Sequence, residues 1–222
     1  MAWGDSMTQN LNPVTVGITG GSASGKSTLA KHIVNELNGH KSVIVNQDLY
    51  FRDYAEYSPE DREKVITSNH PDGICWDVLI NHVNKLVSGE SVTVPAPGTR
   101  AALGGRPQEQ LEAGDLIILE GHLIFWNQQI RDLMNLKLFI EVDPHERVLR
   151  RLLRDVAVKE DEYSAKNLQW QVEWYRRDVI PNFPVYTETC KQYADLIVPY
   201  QTHNPETLQM IVAGIRDRNM NR

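Results

Sequence analysis

One short stretch near the start of the chain combines the residue types and the spacing that hold phosphate groups. Its residues are Gly20, Gly21, Ser22, Ala23, Ser24, Gly25, Lys26, Ser27 and Thr28. Glycines let backbone N–H groups turn inward around phosphate oxygens, and a helix that starts here adds the positive end of its dipole. Lys26 could then reach the outer phosphates, and the Ser27 hydroxyl could hold Mg²⁺. Because an apolar run precedes the stretch and a helical pattern follows it, the spacing predicts a P-loop.

Two carboxylates further along the chain stand where apolar runs end. Asp48 follows the run at 42–46, and Glu120 ends the run that begins at Leu116. Open parallel sheets place their ligands at the carboxyl ends of the strands. We therefore predict that Glu120 supports Mg²⁺, and that Asp48 aligns an acceptor hydroxyl and takes its proton. The alternatives are a solvated carboxylate for Glu120 and an N-cap or turn residue for Asp48.

Four arginines recur at helical spacing after the fourth apolar run, at Arg147, Arg150, Arg151 and Arg154. Such a row could form a lid that closes over ATP and neutralises charge in the transition state. The alternative is a solvated helix face that pairs with nearby acids. Arg151 and Arg154 are the candidates for catalysis, whereas Arg147 is expected to be structural.

Trp170 and Trp174 lie four residues apart, so they share one face of a predicted helix, and Tyr175 follows Trp174. They could stack on the ring of a substrate. Burial in a core is the commoner role of aromatic residues at this spacing, and both interpretations stay open.

The wider pattern indicates an α/β fold. Five short apolar runs alternate with helical segments, which predicts a parallel sheet with helices on both faces. Residues 1–12 are expected to be a flexible tail, and residues 13–222 a single domain. Within that domain we predict a hairpin or loop at 91–110, over the acceptor site, and a lid region at 145–165.

Composition disfavours several classes of protein. The 222 residues include 29 acidic and 23 basic ones, a formal charge of −6, which disfavours nucleic acid as a partner. The two cysteines have no metal-binding spacing, and no signal peptide or long apolar segment is recognisable. We therefore expect a cytoplasmic protein that acts on a small molecule, with no membrane partner and with homo-oligomerisation left open.

Several segments, in this order along the chain, resemble the uridine kinase family within the uridine kinase and phosphoribulokinase group of P-loop kinases. Beside the P-loop they are Gln47-Asp48 with Phe51, the triplet at 70–72, and the runs at 119–125, 150–155 and 191–199. The resemblance implies a P-loop nucleoside triphosphate hydrolase-like fold with sheet order 2-3-1-4-5. It also implies Mg²⁺-dependent transfer of phosphate from ATP, or GTP, to the 5′-hydroxyl of a ribonucleoside.

The same resemblance implies roles for individual residues. Asp48 matches the family's catalytic base, and Glu120 matches the acid linked to magnesium. Asp72 matches the acid that binds the ribose hydroxyls, and Phe51 matches an aromatic residue after the base. Arg151 and Arg154 match arginines around the phosphates and the substrate.

The chain departs from the family at 96–106, where the Tyr-Asp and the later His-x-Arg that help hold a pyrimidine are missing. The acceptor could therefore be another hydroxylated metabolite, such as a sugar, pantothenate or nicotinamide riboside. A P-loop regulatory module without transfer activity is the alternative from another class. The retained Asp48 and Asp72 favour an acceptor site over such a module.

Overall fold

The computed structural model describes residues 13–157, 165–200 and 204–220. Seven strands occur in that part of the chain: β1 Val14–Gly20, β2 Ser42–Asn46, β3 Val92–Val94, β4 Glu109–Leu111, β5 Leu116–Glu120, β6 Leu136–Glu141 and β7 Leu196–Pro199. Five of them form one parallel sheet in the order β2-β5-β1-β6-β7. Counted among these five strands alone, the order is 2-3-1-4-5, so the predicted fold class and sheet order are confirmed.

The strands at the centre of the sheet are buried on both faces. Every residue of β1 and of β5 is buried, which explains why these strands are continuous apolar runs rather than alternating ones. The register pairs Ile18 with Glu120 and Gly20 with Ile140. The P-loop and Glu120 therefore leave the sheet at the same edge.

Helices and short turns of helix connect the strands. The helices are α1 Lys26–Glu36, α2 Pro59–Val65, α3 Trp76–Val87, α4 Arg100–Leu103, α5 Gln128–Asp132, α6 Pro144–Ala157, α7 Ala165–Trp174, α8 Ile180–Asn182 and α9 Pro205–Met220. Single 3₁₀ turns lie at Gln47–Tyr50, Pro71–Gly73 and Glu188–Tyr193, and π-helical turns lie at Tyr175–Val179 and Phe183–Thr187.

The sheet separates two hydrophobic cores. One core packs α3 and α5 against β2 and β5, with Leu79, Val83 and Phe125 fully buried. The other packs α1 and α9 against β1 and β6, with Ile33 and Val212 fully buried. Apolar side chains therefore cover both faces of the sheet, and the polar residues at its carboxyl edge remain available for a site.

Residues 91–110 form a two-stranded antiparallel hairpin in which β3 pairs with β4. The connection between them contains α4 and docks beside the end of β2, because the Arg100 N–H donates to the Phe51 carbonyl at 2.7 Å. That these residues cover the acceptor remains a prediction. The predicted tail, 1–12, lies outside the described residues, as does 158–164 of the predicted lid. No helix in the described ranges is long and apolar enough to cross a bilayer.

Candidate active site

The P-loop follows β1 as a tight turn that its glycines make possible. Gly20 and Gly25 have φ values of 143° and 96°, in the region that side chains disfavour. A Cβ at Gly25 would lie 2.7 Å from the Tyr200 ring. The inner turn is closed by the Ser24 N–H, which donates to the Gly21 carbonyl at 3.2 Å. The loop thus leaves a backbone-lined hollow at the start of α1.

Lys26 spans this hollow. Its Nζ donates to the Gly21 carbonyl oxygen at 2.9 Å, and the side chain is buried. Burial lowers the pKa of Lys26, while the nearby carboxylates of Glu120 and Asp48 act in the opposite direction. An ammonium group that is largely removed from water interacts strongly with an anion, so Lys26 is placed to bind phosphate.

Ser27 and Glu120 meet at the same edge of the sheet. The Ser27 hydroxyl donates to Glu120 Oε1 at 2.8 Å, and Glu120 is 3% exposed. Burial raises the pKa of Glu120, whereas the hydrogen bond from Ser27 and the charge of Lys26 lower it. A hydroxyl and a carboxylate oxygen side by side fit Mg²⁺, which binds few protein oxygens and takes its other ligands from phosphates and water. These two residues would hold the ion.

A cavity of about 970 Å³ extends from the P-loop across the carboxyl edge of the sheet. We call the part lined by Gly25, Lys26 and Ser27 its donor end. The part lined by Phe51, Ser68 and Arg100 is its acceptor end. The cavity is also lined by Ser22, Ala23, Thr28, Glu120, Arg151 and Arg154. Most of the residues predicted from the sequence therefore surround one space.

Asp48 lies between the two ends of this cavity. It sits on the 3₁₀ turn after β2, where its N–H donates to Asn46 Oδ1 at 2.7 Å. Its carboxylate is close enough to affect the pKa of Lys26 and also that of Arg100. A carboxylate in this position could meet an acceptor hydroxyl that faces the phosphates.

Asp72 is not among the residues that line the cavity. Its side chain is 83% exposed, and Oδ2 lies 3.5 Å from His70 Nδ1. The role of Asp72 at a ribose therefore stays a prediction.

The arginines of α6 divide between two environments. Arg150, Arg151 and Arg154 line the cavity. Arg147 points instead behind the P-loop, where it is 4% exposed and its guanidinium lies 4.1 Å from the centre of the Phe183 ring. A Cβ on Gly21 would clash with this guanidinium. The position of Arg147 fits the structural role expected of it.

The two tryptophans of α7 also line the cavity. Their rings are stacked with centroids 5.7 Å apart, and Trp170 is 60% exposed. Trp170 is therefore not buried in a core. A flat ring bound in the cavity could contact this aromatic pair.

His122 and Arg100 are site residues that the sequence patterns did not single out. The Nε2 of His122 lies 2.5 Å from the Ser68 carbonyl, and burial lowers the pKa of this imidazole to about 4. Because a carbonyl only accepts, Nε2 carries the hydrogen of the neutral ring. Arg100 donates to Ser68 Oγ and to the Thr67 carbonyl, both at 3.0 Å. The only sequence signals were the proximity of His122 to Glu120 and the position of Arg100 inside the unusual stretch at 96–106.

Sequence comparisons place this arrangement among known proteins. Residues 15–205 match the model of the family described as Phosphoribulokinase / Uridine kinase family. The chain is 32% identical over 212 residues to a uridine kinase of Limosilactobacillus reuteri, covering 96% of this chain and 94% of that protein. It is also 34% identical over 208 residues to uridine kinase-like protein 5 of Arabidopsis thaliana, covering 93% of this chain and 43% of that protein.

A solved structure shares the fold. It is titled as a possible uridine kinase from Bacillus stearothermophilus and superposes with a TM-score of 0.51 at 17% identity, covering 85% of this chain and 89% of that one. The P-loop, the acid at the end of β5 and the cavity between them agree with the family assignment. The chain therefore belongs to the phosphoribulokinase / uridine kinase family and is an ATP-dependent kinase that acts on a hydroxyl group.

Proposed function

We propose that the chain phosphorylates the 5′-hydroxyl of a ribonucleoside, with ATP as donor and Mg²⁺ as the metal ion. The observation that carries the proposal is the single cavity that holds Lys26, the Ser27–Glu120 pair and Asp48 together with an acceptor end. A switch protein needs only the phosphate site, whereas a kinase also needs room for an acceptor beside it. The uridine kinases among the relatives support a nucleoside as that acceptor.

The proposed transfer is a direct one from ATP to the acceptor. The acceptor oxygen attacks the γ-phosphorus, its O–H proton passes to Asp48, and the bond from the γ-phosphorus to the bridging oxygen of ADP breaks. Lys26 and the arginines of α6 stabilise the charge on the phosphoryl oxygens. When bound at Ser27 and Glu120, Mg²⁺ neutralises the charge of the outer phosphates. Phe51 and the tryptophan pair offer apolar surface to a base.

The unusual residues at 96–106 favour one alternative, a kinase of a different hydroxylated metabolite such as a sugar, pantothenate or nicotinamide riboside. Both candidates use the same transfer step. They differ only in what the acceptor end of the cavity recognises.

An acceptor panel tests the proposal. The full chain is incubated with Mg²⁺ and ATP, or GTP, and with each of uridine, cytidine, adenosine, ribose, pantothenate and nicotinamide riboside. Phosphorylated product is then identified by mass spectrometry. We expect a 5′-monophosphate from at least one of uridine, cytidine and adenosine. Product from only ribose, pantothenate or nicotinamide riboside would replace the proposal with the alternative, and ADP release at the water background with every acceptor would refute both.

A further inference from the structure

Arg100 is held firmly at the wall of the acceptor end. It begins α4, whose N-cap is Thr99. The buried Thr99 hydroxyl donates to the Ala96 carbonyl at 2.6 Å and accepts from the Ala102 N–H at 3.3 Å. The guanidinium lies 5.1 Å from the centre of the Phe51 ring. A capped turn and an aromatic face thus fix the direction of this side chain.

The contacts of the Arg100 guanidinium are all with neutral groups. Its two Nη atoms donate to Ser68 Oγ and the Thr67 carbonyl, while its Nε is buried and has no hydrogen-bond partner. Within the described ranges, no carboxylate lies within ion-pair distance of Arg100. Burial lowers the pKa of Arg100, and the more distant Tyr54, Asp178 and Asp48 oppose that effect. The group therefore brings positive charge to the wall of the cavity, and each Nη has a second N–H available to a ligand.

The π-helical turn Tyr175–Val179 holds the residues around Arg100 in place. The buried carboxylate of Asp178 accepts hydrogen bonds from the Thr67 hydroxyl, the Ser68 N–H at 3.0 Å and the Asn69 amide at 2.7 Å. The same loop carries the two oxygens that bind Arg100. Because Asp178 holds this loop in place, Arg100 cannot easily move away from a ligand whose charge it repels.

We infer that Arg100 sets the acceptor specificity: it favours a nucleoside whose base carries oxygen hydrogen-bond acceptors, such as uracil, and disfavours a nucleoside with a positively charged ring, such as nicotinamide riboside. Oxo groups accept from a guanidinium, whereas a pyridinium ring beside it would place two like charges in a partly desolvated space. This inference rests on the proposed nucleoside kinase activity. It assigns the recognition of the base to a residue inside the stretch that departs from the family pattern.

Charge reversal tests the inference, with a matched control from the same stretch. Arg106 is exposed, pairs with Glu109 and does not line the cavity. Wild type, Arg100→Glu, Arg100→Gln and Arg106→Glu are compared by their kcat/KM for uridine and for nicotinamide riboside at saturating ATP and Mg²⁺. Thermal melting of each variant reports whether it folds.

The wild type should prefer uridine by at least about tenfold, the size of one good charge interaction. Arg100→Glu should shift the ratio toward nicotinamide riboside by about a hundredfold, and Arg100→Gln by about tenfold. Arg106→Glu should keep the wild-type ratio and the wild-type KM for ATP.

The other possible results distinguish a failure of the proposed function from a failure of the inference. If the wild type turns over no nucleoside, the proposed function fails and the inference fails with it. If the wild type phosphorylates uridine but Arg100→Glu keeps the ratio of Arg106→Glu, only the inference is overturned. Should both Arg100 variants fail to fold, the wild-type ratio decides, because a wild type that prefers the cationic nucleoside contradicts the inference without any variant.

Discussion

At the scale of single residues, the donor end depends on side chains that are distant in sequence and adjacent in space. Ser27 and Glu120 are 93 residues apart, and their hydrogen bond joins the start of α1 to the end of β5. Lys26 is buried beside them, so its charge acts through little water. The proposed mechanism gives each of these groups a separate task, and substitutions can therefore distinguish them.

Asp48→Asn should remove the proton acceptor while keeping the size of the side chain. We expect kcat to fall by about 10²–10⁴-fold, the usual contribution of a general base, with little change in the affinity for ATP. Steady-state kinetics and binding of a fluorescent ATP analogue measure the two quantities. Asp53→Asn is the control, because Asp53 lies on the same connection but does not line the cavity. A kcat like that of the control would remove Asp48 from the transfer step.

Glu120→Gln should weaken the proposed Mg²⁺ site. The amide keeps one oxygen near Ser27 but loses the charge, so the Mg²⁺ concentration for half-maximal activity should rise about tenfold or more. Titration with Mg²⁺ at fixed ATP measures this value, and Glu112→Gln, an exposed acid on the protein surface, serves as the control. An unchanged Mg²⁺ requirement would contradict the assignment of Glu120.

At the scale of elements, the segment after α7 connects parts of the site that no single helix spans. The π-helical turn Tyr175–Val179 carries Asp178, which holds the loop at 67–69. Just beyond it, Tyr186 lies 2.7 Å from His70 Nε2. Insertions of a π-type turn often occur where a helix must turn a side chain toward a site. This segment therefore holds in place the loop at 67–69, part of which lines the acceptor end.

Asp178→Asn should affect stability and acceptor binding together. The amide replaces an acceptor of four hydrogen bonds with a group that can accept fewer, and the donors left buried should cost about 2 kcal/mol in the free energy of unfolding. The KM for the acceptor should rise while the KM for ATP stays near wild type. Urea unfolding and kinetics measure these effects.

Asp61→Asn, on the exposed face of α2, is the control for this change and should leave all three values near wild type. Asp178→Glu keeps the charge and should recover part of the acceptor KM. Equal increases in both KM values would indicate a general disturbance of the fold rather than a role at the acceptor end.

At the level of the whole described structure, the sheet separates two hydrophobic cores, and the residues of the candidate site lie at its carboxyl edge. Cys190 belongs to the core with α3 and is 1% exposed, whereas Cys75 is half-buried just before that helix. The two thiols therefore report on different events. Cys75 reports on the surface near the acceptor end, and Cys190 reports on unfolding of the core.

Alkylation with iodoacetamide should modify Cys75 before Cys190 in the native protein. Burial raises the pKa of both thiols, that of Cys190 to about 11, so about one Cys190 in a thousand would be a thiolate at pH 8. Peptide mass spectrometry over time, with and without urea, measures the rates. Modification of native Cys190 as fast as in urea would show that this core is open.

The local patterns predicted much of the fold because each depends on neighbours in sequence. Buried strands appear as apolar runs, and the P-loop needs glycines and a lysine at fixed spacing. The strand ends at Asp48 and Glu120 could be placed for the same reason. The sheet order came from the family resemblance, since several strand orders satisfy the same pattern of runs.

Local sequence patterns were enough to predict a phosphate-binding loop, a parallel sheet and two acids at its carboxyl edge. The folded chain was needed to show that Ser27 hydrogen-bonds to Glu120, that Arg147 lies behind the P-loop, and that Arg100 and His122 both contact the loop at 67–69. It also placed Asp72 outside the lining of the cavity, which the sequence could not indicate. These contacts join segments that are far apart in the chain. Packing of the two cores sets the distances between those segments, so no local sequence pattern can indicate them.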